Sequence, residues 1–175
     1  MLFWIITILV LAVLAVLAYA AMQADQFRVS RTQTIMAPPE KIFPFINDMH
    51  ALNSWNPFVQ MDPNIKVNYA GPAAGPGATY TWESKQMGPG SAKITGSYPP
   101  NRMTLDLAMD HPIFKARNDV EYTLTPNGGG TDVTWSMSGR RPFASKLMGL
   151  VFNADTMVGG SFAKGLAQLK ELAEK

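Results

Sequence analysis

The chain has 175 residues, a length that allows one domain together with a short additional segment. Its 15 basic and 13 acidic residues leave a net charge of +2, which excludes the strong positive field typical of nucleic-acid-binding proteins. The chain contains no cysteine, so disulfides and thiolate metal sites are also excluded.

Residues 1–22 form an uninterrupted apolar segment. They contain no charged side chain, Thr7 is the one clearly polar residue, and the first charge is Asp25. As a helix, such a segment would extend about 33 Å, enough to cross a hydrocarbon core of about 30 Å. The sequence therefore predicts a transmembrane anchor over 1–22, a polar linker over 23–26 and a soluble domain over 27–175.

A secretory signal peptide is the alternative interpretation of this segment, with 18–20 (Ala-Tyr-Ala) as its cleavage site. However, no lysine or arginine precedes the apolar segment, which is also longer than a usual signal-peptide core. These features favour an uncleaved single-pass anchor. Arg28 and Arg31 follow the segment, and the positive-inside rule then places the soluble domain in the cytoplasm.

The soluble part begins with a strand and two short helices. Alternation of apolar and polar residues from Phe27 to about Ile35 predicts the strand. Pro39 and Glu40 are suited to the first turn of a helix, and a second short helix is expected to be closed by Pro57.

About six further strands follow, joined by short turns. Met103, Leu105 and Leu107 alternate with polar or small residues, as do Val120 and Tyr122. The segment 127–130 (Asn-Gly-Gly-Gly) predicts a hairpin turn. This pattern is typical of an antiparallel sheet with one solvated face.

A long amphipathic helix is predicted from Pro142 to the end of the chain, because apolar residues recur there at intervals of three and four. Glycines at 149, 159, 160 and 165 suggest a kink or a close approach to the sheet. The predicted fold is α+β, with a curved antiparallel sheet of about seven strands around a long C-terminal helix.

Several segments of the soluble part occur in an order and at a spacing that are typical of one protein family. They are residues 35–43, Trp55-Asn56-Pro57-Phe58, and residues 62–63, 69–72, 75–78, 80–83, 130–135, 159–166 and 169–170. In these segments the chain resembles the SRPBCC, or START-like helix-grip, superfamily, and within it the bacterial polyketide cyclase/dehydrase and lipid-transport group. This resemblance implies a helix-grip fold over 27–174, with an interior that can hold a ligand, but it does not define a reaction.

The polar residues give no clear sign of catalysis or of metal binding. His50 and His111 are isolated histidines without a ligand-like spacing, so we expect no metal and no other cofactor. By strand parity, the outer face of the sheet carries most of the strand-borne charges, and solvated ion pairs are the expected arrangement there. These residues are Glu83, Asp106, Arg117, Asp119 and Glu121.

The inner face is rich in aromatic residues and methionine, a composition suited both to a core and to an adaptable apolar pocket. Met148 on the helix belongs to the same group. The candidate ligand-binding residues are Tyr69, Tyr80, Trp82, Met103, Tyr122, Trp135, Met137, Met157 and Phe162.

Three functions are compatible with the sequence. The first is a membrane-tethered monomer that binds a small hydrophobic or lipid-like molecule between the sheet and the C-terminal helix. The second is an enzyme of the cyclase or dehydrase kind, in which a tyrosine or an acid moves a proton. The third is an interaction domain without a ligand. The size and the lining of the interior should distinguish them.

Overall fold

The structure is a computed structural model that describes residues 2–110, 115–141, 143–150 and 154–175. Seven helices and seven strands lie within these ranges. The helices are α1 (Leu2–Met22), α2 (Pro39–Ile42), α3 (Pro44–Asn47), α4 (Met49–Trp55), α5 (Pro57–Met61), α6 (Phe143–Met148) and α7 (Ala154–Ala173). The strands are β1 (Gln26–Ile35), β2 (Lys66–Ala70), β3 (Thr79–Glu83), β4 (Gly90–Tyr98), β5 (Arg102–Asp110), β6 (Lys115–Asn127) and β7 (Gly130–Arg140).

The strands form one antiparallel sheet in the order β1-β7-β6-β5-β4-β3-β2. Each strand from β2 to β7 lies beside its neighbour in the chain, which short turns permit. Strand β1 instead pairs with β7. The segment that contains α2 to α5 carries the chain from the β1 edge of the sheet to the other edge, where β2 lies. The predicted α+β fold, with a curved antiparallel sheet and a long C-terminal helix, is confirmed.

The alternation in the sequence correctly identified the two faces of the sheet. On β5, Met103 and Leu105 are buried on the inner face, whereas Asp106, the next residue along the strand, is exposed on the outer face. On β6, Val120 and Tyr122 are likewise buried. The side-chain period of two therefore separates a core face from a solvated face.

The turn between β6 and β7 follows the predicted hairpin chemistry. Gly128 and Gly129 adopt φ values of 57° and 93°, in the left-handed region that favours glycine.

The segment between β1 and β2 forms four short helices rather than the two predicted. Asp48 caps α4 by accepting hydrogen bonds from the backbone N–H groups of His50 (2.8 Å) and Ala51 (3.0 Å). Asn56 caps α5 by accepting from Phe58 N at 3.1 Å. Pro57 therefore opens a new helical turn rather than closing the preceding helix, because proline is well suited to the first helical position.

The prediction of one C-terminal helix from Pro142 was wrong in its extent, since the described residues form two helices, α6 and α7. The longer helix packs on β1 and β7 through Phe162, Leu166 and Leu169, which recur at helical spacing. Gly165 permits this close approach. A Cβ at that position would lie 2.9 Å from both Pro57 Cδ and Trp135 Cζ3.

Helix α1 is apolar on all sides, and most of its side chains are exposed. The stretch Phe3–Met22 is long and apolar enough to cross a membrane, a property that signal sequences share. Strand β1 begins at Gln26, one residue before the predicted start, so only residues 23–25 connect it to α1.

Asp62, which follows α5, binds the segment that follows β3, and its ionisation should make folding sensitive to acid. It is 4 % exposed and accepts hydrogen bonds from Ser84 Oγ (2.6 Å) and Asn64 N (2.9 Å). The bond from Ser84, followed by that from the backbone of Asn64, holds the pKa of Asp62 below its ordinary value of 3.8. The resulting stabilisation is complete above that ordinary value and is lost as the pH falls through the lowered pKa.

We expect Asp62→Asn to lower the melting temperature at pH 7 and to have a smaller effect at pH 3, which lies below the ordinary pKa of 3.8, because protonation of this carboxyl in the unfolded chain then removes part of the stabilisation. Thermal unfolding followed by circular dichroism at both values measures this change. Asp106→Asn, at an exposed position on the outer face, is the matched control. An equal loss for Asp62→Asn at the two pH values would contradict the role assigned to the carboxylate.

Candidate ligand-binding site

Most of the predicted ligand-binding residues lie on the inner face of the sheet or on α7. Tyr69, on the edge strand β2, is the exception in its exposure, at 39 %. The side chain of Met157 lies outside the described part of the structure, as do that of Met148 and the whole of His111. The buried members of the set are Tyr80, Trp82, Met103, Tyr122, Trp135, Met137 and Phe162.

Five aromatic rings fill the space between the middle of the sheet and α7, and we call them the aromatic cluster: Trp55, Phe58, Tyr122, Trp135 and Phe162. Trp135 and Phe162 stack with centroids 4.0 Å apart, and Trp55 meets Tyr122 and Trp135 edge-on at 6.0 and 5.7 Å. The cluster joins helix to sheet through close aromatic packing.

The indole N–H groups of Trp55 and Trp135 differ in their hydrogen bonding. Trp55 Nε1 donates to Phe45 O at 3.0 Å. Trp135 Nε1 is buried, and none of the described residues accepts its hydrogen bond. Tyr122, Trp135 and Phe162 thus form part of the packed core, and their contact with a ligand stays a prediction.

A second group of polar side chains connects the short helices to the edge of the sheet. Asn53 Nδ2 donates to Tyr69 Oη at 3.2 Å, and Asn56 Nδ2 donates to Tyr80 Oη at 3.4 Å. His50 covers the outer side of this group by stacking on Tyr69, with centroids 3.7 Å apart.

The two buried tyrosines are suited to donating hydrogen bonds rather than to accepting protons. Burial raises the pKa of Tyr80 far above its usual value, although the hydrogen bond from Asn56 partly opposes this effect. Burial, with a smaller contribution from Tyr80, also raises the pKa of Tyr122 well above its usual value. Both phenols therefore remain protonated at neutral pH.

The inner face is less well covered at one end of the sheet, where β1 begins and β7 ends. We call this the open end. Phe27, Leu107 and Met109 lie on its inner face, and these three residues and Val158 of α7 are only partly buried. Met103 and Val133, farther along the same face, are fully buried. The apolar lining thus changes from closed core to partly accessible surface along the strands.

Trp82 lies at the open end. It pairs with Gly90 across β3 and β4, and Gly90 in turn pairs with Met109 on β5. The indole covers Gly90 so closely that a Cβ there would be 2.1 Å from Trp82 Cζ2. Trp82 Nε1 is buried without a hydrogen-bond partner among the described residues. A donor in this position can bind an oxygen of a guest molecule.

Asn118 is an inner-face residue that the sequence analysis did not select. It is 8 % exposed, lies in register with Leu107 and Gly139, and places Oδ1 close to the glycine. The signal was available, since Asn118 has the same parity on β6 as Val120 and Tyr122. It brings an amide, which can both donate and accept hydrogen bonds, to the open end.

Two grooves, of about 490 and 280 Å³, are lined mainly by outer-face residues, and Leu107, Asn118 and Gly139 also line the larger one. Asp106 and Asp119, which are directly paired across β5 and β6, line both of them. Arg117 donates to Asp110 Oδ1 at 2.9 Å on the same face. The predicted outward orientation of the strand-borne charges is thus confirmed. No group of three or more histidines and carboxylates suited to a metal occurs among the residues that the structure describes.

A seven-stranded antiparallel sheet that holds a long C-terminal helix defines the helix-grip class of folds. The chain matches the family described as polyketide cyclase / dehydrase and lipid transport over residues 26–174, and it belongs to that family. No curated protein matches the chain.

Three solved structures illustrate how widely the fold occurs. Protein CV1439 from Chromobacterium violaceum is 19 % identical, with a TM-score of 0.61 over 86 % of this chain and 98 % of its own. Protein MLL2253 from Mesorhizobium loti is 20 % identical, with a TM-score of 0.61 over 83 % and 96 %. The Aha1 dimer from Colwellia psychrerythraea is 20 % identical, with a TM-score of 0.57 over 85 % and 96 %. At these identities, the likeness concerns the fold alone.

Proposed function

We propose that this protein binds a small hydrophobic or lipid-like molecule at the open end of the helix grip, and that residues 1–22 tether it to a membrane. The observation that carries this proposal is the partly accessible apolar surface at the open end, beside the unpaired Trp82 Nε1. Ligand pockets combine an apolar lining with a few placed polar groups. The membership of the family is consistent with ligand binding.

The polar groups at the open end suggest which chemical feature the ligand carries. Trp82 Nε1 can only donate, and Asn118 can donate through its amide nitrogen. Trp82 Nε1 would be satisfied by an oxygen such as a carbonyl or a carboxylate, and Asn118 could donate to a second such oxygen. We therefore propose an apolar molecule with at least one oxygen acceptor.

The tether supports the same class of ligand. An apolar molecule partitions into the bilayer, so a domain fixed at the membrane meets it at a high local concentration. The cytoplasmic side and the monomeric state, both expected from the sequence, stay predictions.

Native mass spectrometry of the full chain, purified in detergent with added lipid extract, tests the proposal. We expect a bound species that is retained several-fold less by Trp82→Phe, since one hydrogen bond contributes about 0.5–1.5 kcal/mol. Glu83→Gln is the matched control, because Glu83 is the next residue on β3 and is exposed on the opposite face. Equal retention of the bound species by the Trp82→Phe and Glu83→Gln variants would show that Trp82 does not bind the ligand.

The close packing of the aromatic cluster favours a second candidate, an interaction domain without a ligand. Folded wild-type protein that carries no bound species in this experiment would support that candidate and would contradict ligand binding. A cyclase or dehydrase reaction would need a group that exchanges protons near neutral pH. The raised pKa values of Tyr80 and Tyr122 make these two residues unsuited to act as the base.

A further inference from the structure

The connection between α1 and the domain is too short to hold the domain away from a membrane. Helix α1 has 21 residues, and their rise of about 32 Å matches a hydrocarbon core of about 30 Å. The three residues 23–25 span at most about 10 Å when fully extended. A headgroup layer is about 5–7 Å thick on each side. If α1 crosses the bilayer, β1 must begin at or within the headgroup layer.

The same connection is fixed to the domain by hydrogen bonds. Lys146 of α6 is 5 % exposed, and its Nζ donates to Gln23 O at 2.7 Å and to Asp25 Oδ1 at 2.5 Å. Arg141 N donates to Asp25 O at 2.7 Å. Ala20, in the last turn of α1, is fully buried. These contacts attach the end of the helix to α6 and oppose free rotation of the domain about the link.

Strand register identifies the end of the domain that is held at this position. Gln26, the first residue of β1, pairs with Arg140, the last of β7. The antiparallel ladders place the end of β5 and the start of β6 at the same edge, where Asp110 pairs with Lys115. This edge is the open end. The turn between β4 and β5, which follows Tyr98, lies at the opposite end of the strands.

We propose that the open end rests on the bilayer, with α6 in the headgroup region, so that a ligand passes between the bilayer and the inner face without entering bulk water. Phe143, at the start of α6, and Leu150, just after its end, are 47 % and 39 % exposed. Apolar side chains beside the end of a membrane-spanning helix gain free energy by entering the interface. The occupant of this surface is the bilayer that contains α1, and the inference rests on the proposed membrane tether.

Single-cysteine labelling can test this arrangement, because the chain contains no cysteine of its own. The full-length variants Phe143→Cys and Leu150→Cys would carry an environment-sensitive fluorophore in phosphatidylcholine vesicles that contain phosphatidylglycerol and a nitroxide-labelled lipid as quencher. Leu14→Cys, in α1, is the reference for the membrane. Tyr98→Cys, 54 % exposed at the opposite end, is the reference for water. Unchanged thermal unfolding confirms that each variant is folded.

We expect the labels at 143 and 150 to be blue-shifted and quenched nearly as strongly as the label at 14, with at least a threefold difference in quenching from the label at 98. Labels at 143 and 150 that resemble the one at 98, while the label at 14 is quenched, would overturn the orientation and leave the tether intact. If the label at 14 is also in water, the tether and the orientation both fail. Quenching at 143 and 150 without any ligand in mass spectrometry would support the orientation and contradict ligand binding alone.

Discussion

Replacing Trp55 by alanine should reduce the free energy of unfolding by about 3–5 kcal/mol, the usual cost of removing a buried tryptophan ring. Trp55 is fully buried and contacts Tyr122 and Trp135 edge-on, and its indole donates to Phe45 O. The substitution would remove both the ring contacts and the hydrogen-bond donor to the Phe45 carbonyl. Since domains are stabilised by about 5–15 kcal/mol in total, this is a large fraction.

Urea unfolding of the full chain in detergent, followed by circular dichroism, measures this effect. Trp55→Phe keeps an aromatic ring but loses the hydrogen bond, so we expect a smaller loss of about 1–2 kcal/mol. Trp4→Ala is the matched control, because Trp4 is 67 % exposed on α1 and lies outside the core. A loss below about 1 kcal/mol for Trp55→Ala would show that the aromatic cluster does not hold α7 on the sheet.

The sheet could be predicted because burial on one face imposes a pattern that is visible in the sequence. Met103 and Leu105 alternate with polar residues in the sequence, and the structure shows the same alternation between buried and more exposed positions. The C-terminal helix could be recognised from Phe162, Leu166 and Leu169 in the same way. Local periodicity thus reports which face of an element is buried, but not what that face meets.

The features that depend on distant partners could not be predicted. A lysine in an amphipathic segment indicates a solvated position, yet Lys146 is buried because it bonds to Asp25 and Gln23, more than 100 residues earlier. Similarly, the relation between Trp82 and Gly90 requires the register of β3 on β4. Asn118 was overlooked because its polarity favoured the outer face, although its parity placed it inside.

Gly90→Ala should destabilise the protein by about 1–3 kcal/mol, the usual cost of overpacking, and should also reduce ligand retention. The new Cβ would lie 2.1 Å from Trp82 Cζ2 and 2.6 Å from two further atoms of the ring. These distances are far below van der Waals contact, so the indole must leave its position over the strand. Its movement would displace Nε1 from the open end, where we propose that it meets the ligand.

A double-mutant cycle separates this contact from a general effect of alanine at position 90. In a Trp82→Leu background the obstructing ring is absent, so Gly90→Ala should have little further effect, giving a coupling of at least about 1 kcal/mol between the two positions. Gly160→Ala is the matched control, since a Cβ there meets nothing within 4 Å; alanine in this helix should be neutral or stabilising by up to about 1 kcal/mol. Equal losses for Gly90→Ala in both backgrounds would mean that Trp82 is not the group that excludes a side chain at this position. The indole would then have no fixed place at the open end, and the hydrogen bond proposed for the ligand would lose its structural basis.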